Sequence, residues 1–92
     1  MNNNRNTYSQ SKKTEPSNAP IIKLRIGLIT ASIWQRVTEE DAFYSVTFDR
    51  RYRDSKGNWQ STQSYSPEDL LILAKLADQA HTKIYDLRGN EG

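Results

Sequence analysis

The side chains that could act on a ligand here are cations and aromatic rings, not nucleophiles. Lys23, Arg25, Arg36, Arg51, Arg53 and Lys56 fall in the same stretch of chain as Trp34. Guanidinium and ammonium groups neutralise phosphates, and an indole face stacks on an unpaired base. Together these types suit single-stranded nucleic acid. Catalysis has little to work with. The chain contains 0 cysteines and 1 histidine, which removes thiolate nucleophiles and leaves no soft metal site. His81 falls beside Ala80 and Thr82, off the apolar stripe of a helical segment, and reads as a solvated helix residue. Glu39, Glu40 and Asp41 form an acidic run whose spacing matches no calcium loop, so a solvated turn is expected there. The 4 glycines make no phosphate-cradling motif. Asp49 stands alone among basic neighbours, so no carboxylate pair arises. The expectation is a binding protein, not an enzyme, that needs no metal or cofactor.

A chain of 92 residues is one domain at most. Its opening stretch, residues 1–20, is dominated by Asn, Ser, Lys and Thr, with Tyr8 its one sizeable apolar side chain. Such a segment buries too little surface to offset the entropy of ordering it, and a disordered tail is expected. Residues 21–92 then form the single folded domain. A domain that small is marginal alone, and without cysteine it has no disulfide to help. A homodimer is therefore expected on size. The balance of 13 Lys and Arg against 11 Asp and Glu gives a net charge of +2, so the distribution of charge must decide the partner. No apolar run approaches the roughly 20 residues needed to span a bilayer. The N-terminus lacks the layout of a signal peptide, and a cytoplasmic location is expected.

The elements that must position the cations follow from periodicity. Ile22, Leu24, Ile26 and Leu28 share one parity; Ile29, Ala31, Ile33 and Val37 share the other. A period of two cannot change phase without a bulge, bend or break, and Gly27 lies beside the change. One long kinked strand, or two strands joined at a corner, is expected. Tyr44, Val46, Phe48 and Tyr52 alternate with polar residues through Arg53, a half-buried strand. Asp54-Ser55-Lys56-Gly57 has the residue preferences of a type I turn. Trp59 to Tyr65 returns as a strand, with 53 folding onto 58. That register sets Trp59 beside Tyr52 in the core and leaves Arg51, Arg53, Asn58, Gln60, Thr62 and Ser64 on the other face. Ser66-Pro67-Glu68-Asp69 then opens a helix that runs to about Arg88, with Gly89 able to end it. Leu70, Leu73, Ala77, Ala80, Ile84 and Leu87 form its stripe, broadened by Leu71, Ile72 and Leu76. The surplus at Ile72 and Leu76 is assigned to a dimer interface. The fold class is α+β: a curved antiparallel sheet of 3–4 strands followed by one long C-terminal helix.

This order of elements resembles the positive-cofactor-four type of transcriptional coactivator, shared with small bacterial proteins, over roughly Leu28 to Ala80. The best-matching pieces are Asp54-Ser55-Lys56-Gly57 and Tyr65-Ser66-Pro67-Glu68-Asp69. Plant Whirly proteins are more distantly similar in topology. The resemblance implies a homodimer built on helices and sheets, whose curved ribbons hold single-stranded DNA by stacking and backbone contacts. By position it implies contacts from Arg25, Trp34, Arg36, Arg51 and Arg53. The chain departs from that pattern in having no Lys or Arg between Trp59 and Tyr65.

The full expected contact set is Lys23, Arg25, Trp34, Arg36, Arg51, Arg53 and Lys56, on an outer sheet face that binds single-stranded DNA or RNA with little sequence preference. The alternative is a protein–protein interaction module that uses the same sheet and no nucleic acid. Steep weakening with salt separates the first from the second.

Overall fold

The computed structural model describes residues 19–89. The expected tail over residues 1–20 lies outside them, save Ala19 and Pro20. Four strands, β1 (Ile22–Ile26), β2 (Ile29–Val37), β3 (Ala42–Arg53) and β4 (Trp59–Thr62), precede a 3₁₀ turn (Pro67–Asp69) and helix α1 (Leu70–Gly89). The sheet is antiparallel throughout, in the order β1-β2-β3-β4. This is the expected α+β class, with α1 laid across one sheet face.

The phase change at Gly27 has a simpler cause than a kink. Ile26 pairs with Ile29, so Gly27 and Leu28 form a two-residue hairpin turn and the chain reverses. Gly27 has a φ of 61°, in the region that favours glycine. Reversal places Ile22 opposite Ile33 and Leu24 opposite Ala31, so both parities face the helix. The second hairpin closes through Thr38, whose hydroxyl donates to the Asp41 carbonyl at 3.1 Å and accepts from the Asp41 N–H at 3.1 Å. The acidic run is thus a hairpin tip, and no cluster of metal-ligating residues occurs among the described residues.

The core lies between β2 and α1. Ile29, Ala31, Ile33, Leu76 and Ala80 are buried, and Leu24, Val46, Phe48, Tyr65, Ile72 and Leu73 pack around them. The helix stripe is therefore Ile72, Leu73, Leu76, Ala80, Ile84 and Leu87, and Leu70 and Ala77 are exposed. This corrects the assignment of Ile72 and Leu76 to a dimer interface. Leu76 is 0% exposed within its own chain, so β2 already covers it and no second copy is required for its burial.

The start of α1 is tied to the sheet by charge. One Asp69 carboxylate oxygen accepts from the Ser66 N–H at 2.9 Å and from the Ser66 hydroxyl at 2.9 Å. The same oxygen meets Arg50 Nε at 3.1 Å, and Arg50 also donates to the Ser64 carbonyl at 3.3 and 3.2 Å. The bonds from Ser66, joined by the Arg50 charge, hold the Asp69 carboxyl below its ordinary value of 3.8. A depressed folded-state value contributes stability above the ordinary value and loses it as pH falls through the depressed one. The denaturation midpoint of the native chain is therefore expected to drop as pH falls below about 4. Asp69→Asn should flatten that drop, read as urea midpoint against pH. Equal slopes for the two proteins would show that this carboxylate is not coupled to folding.

Candidate nucleic-acid interface

The sheet face opposite α1 carries no covering element among the described residues. Its composition follows from the register. On β1 it presents Lys23 and Arg25; on β2, Thr30, Ser32, Trp34 and Arg36; on β3, Ser45, Thr47, Asp49, Arg51 and Arg53. Lys23 pairs with Ser32, Arg25 with Thr30, and Thr30 with Asp49, so the first three strands bring these groups side by side.

One outer-face residue lies where the sequence pattern did not put it. Trp59 pairs with Arg53, not with a core residue, and is 47% exposed. The guanidinium carbons of Arg51 and Arg53 lie 4.9 and 5.2 Å from its ring centroid, a stacked cation–π group. The cause is the turn. The Asp54 N–H donates to the Asn58 carbonyl at 2.9 Å, and the Gly57 N–H donates to the Asp54 carbonyl at 3.0 Å. Gly57 has a φ of 84°. The loop thus spans residues 54–58, one residue longer than a simple type I turn, and Arg53 meets Trp59 instead of residue 58. A one-residue slip moves every side chain to the opposite face, so Trp59 joins Arg51 and Arg53. The Asp54 carboxylate fixes this loop, accepting from the Lys56 and Asn58 N–H groups at 2.9 Å each. Those bonds, that from Asn58 foremost, hold its carboxyl below the ordinary value.

Around Trp59 the face forms an open concavity of about 570 Å³. Lys23, Arg25 and Arg51 supply its cations, Thr30 and Ser61 its hydroxyls, and Asp49 a carboxylate. Arg25 Nε donates to the Gly27 carbonyl at 3.0 Å, which orients its guanidinium along the β1 edge. Of the expected contact residues, Lys23, Arg25 and Arg51 meet in this concavity and Arg53 flanks it against Trp59. Trp34 and Arg36 share the face but sit toward the other end of the β2–β3 ribbon. The Trp34 ring N–H donates to Thr47 Oγ1 at 2.9 Å, and Arg36 lies 6.0 Å from the Phe43 ring centroid. Lys56 lies in the exposed β3–β4 turn, outside the concavity. Phe43 and Trp59 are the aromatic contributors that the alternation alone missed. A type I turn followed by a left-handed glycine would have signalled the second.

His81 is exposed on α1 and stacks on Tyr85, with ring centroids 6.4 Å apart. No helix among the described residues is long and apolar enough to cross a membrane. Comparison of the chain with protein-family models, with curated proteins and with solved structures found no match.

Proposed function

We propose that the outer sheet face binds single-stranded DNA or RNA, without catalysis. The observation that carries the reading is the grouping of Lys23, Arg25 and Arg51 around a half-exposed Trp59 in one open concavity. Cations grouped on one surface neutralise a phosphate backbone, and an exposed indole offers a π-face to an unpaired base. Paired bases hide their faces, so duplex is the poorer ligand. The test is fluorescence anisotropy with a labelled single strand of about 20 nucleotides at roughly 50 and 200 mM salt. Affinity is expected to fall steeply between the two, with matched duplex binding more weakly at both. Absence of binding at the lower salt, or binding indifferent to salt, would contradict the reading and favour a protein-docking surface.

Self-association belongs to the same proposal, through a surface other than Ile72 and Leu76. The solvent side of α1 exposes Leu70 (54%), Leu71 (82%) and Tyr85 (71%), with Ala74 and Ala77 between them. An antiparallel second copy, centred between Ala77 and Asp78, would bring Leu70 against Tyr85 of the second copy and Ala74 against its His81. The antiparallel arrangement also opposes the helix dipoles favourably. Both outer sheet faces stay open in such a pair. Leu71→Glu is expected to shift a dimer toward monomer in light scattering at micromolar concentration, with the fold intact by circular dichroism. A native chain that scatters as 10.6 kDa would contradict self-association while leaving the nucleic-acid reading standing.

A further inference from the structure

The concavity around Trp59 holds one group that a phosphate-binding surface does not need. Asp49 lines it together with Lys23, Arg25 and Arg51. Its carboxylate makes no hydrogen bond or ion pair among the described residues. A phosphate placed there would meet like charge, so the backbone of a bound strand must pass over the cations and leave the Asp49 position to a base. A carboxylate only accepts hydrogen bonds. The Watson–Crick edges of the bases answer that requirement unequally. Guanine presents two adjacent donors, N1–H and the N2 amino group, spaced to meet both carboxylate oxygens. Adenine and cytosine present one amino donor beside an acceptor. Thymine and uracil present a single N–H between two carbonyl oxygens, both of which the carboxylate repels.

We infer that this concavity selects an unpaired guanine, stacked on Trp59 with its Watson–Crick edge on Asp49. The inference rests on the nucleic-acid reading above and adds to it a preference at one base position. The remainder of the strand, held through phosphates, contributes affinity without choice of sequence. Thr30, directly opposite Asp49 in the register, and Ser61, opposite Arg51, are the neighbouring hydroxyls at the same site.

The test is titration of the native protein, followed by tryptophan fluorescence, with three oligonucleotides of one length. These are all thymidine, the same strand with one central guanosine, and the same strand with inosine in its place. A bidentate base contact discriminates by about 1–3 kcal/mol, so one guanosine should tighten binding about 5- to 150-fold. Inosine, which lacks the N2 amino group, should fall between the two. Asp49→Asn should bind the thymidine strand at least as well as the native protein and lose most of the guanosine preference. Equal affinity of the native protein for the thymidine and guanosine strands would overturn the inference and leave the nucleic-acid reading intact. So would an Asp49→Asn protein that keeps the full preference. Failure to bind any of the three would overturn both.

Discussion

Leu76→Ala is expected to lower the unfolding free energy of the domain by about 2–5 kcal/mol. Leu76 is fully buried against Ile29 and Ala31, where β2 and α1 meet. Truncation loses the transfer energy of the removed carbons and leaves a cavity that a flat, single-helix layer has few atoms to fill. A domain of this size has a stability of only several kcal/mol, so the loss could remove most of it. Gln79→Ala, on an exposed flank of α1, should change stability by no more than about 0.5 kcal/mol. Urea titration followed by circular dichroism reads both. Comparable effects at the two positions would mean that α1 does not present the Leu76 stripe to the sheet.

Trp59→Ala should weaken binding of a short single strand about 5- to 150-fold, the worth of one base stacked on an aromatic ring. Arg51→Ala should lower affinity too and flatten the dependence on salt by about 0.7 per lost phosphate contact. Trp34 provides an internal control of distance. Positions 45 and 53 of β3, beside Trp34 and Trp59 respectively, are separated by about 26 Å at roughly 3.3 Å per residue. A strand short enough to fill the Trp59 concavity should ignore Trp34→Ala, whereas one of about 20 nucleotides, beyond a single 4–16-nucleotide site, should feel it. Anisotropy with the two lengths separates these outcomes. A short strand that responds to Trp34 and not to Trp59 would move the primary contact to the β2–β3 ribbon.

The sheet-plus-helix architecture was legible because its signals were local and strong. The alternation of Tyr44, Val46 and Phe48 marked a half-buried strand, and Ser66-Pro67-Glu68-Asp69 marked the entry to a helix. Cations on the outer face followed from that alternation without further information. Two features were not legible from periodicity, for related reasons. The change of parity at Gly27 has the same pattern for a kink and for a tight reversal, and only strand pairing distinguishes them. The extra residue in the Asp54–Asn58 loop carries no hydrophobic signature, yet it transferred Trp59 from the expected core to the outer sheet face. The helix stripe was misphased for a different reason. Leu70, Leu71, Ile72 and Leu73 are consecutive apolar residues, so several faces satisfy a helical period there, and packing against β2 selects Ile72, Leu73 and Leu76.

Mapping of backbone amide shifts by NMR during titration with a single-stranded oligonucleotide tests the central claim most directly. Shifts should concentrate at Lys23, Arg25, Thr30, Asp49, Arg51 and Trp59, with the indole N–H of Trp59 moving most, and should fade as salt is raised. Amides of Leu71, Ala77 and Tyr85 on the solvent side of α1 should remain still. Perturbation confined to α1, or no perturbation at any residue, would contradict assignment of the outer sheet face as a nucleic-acid surface.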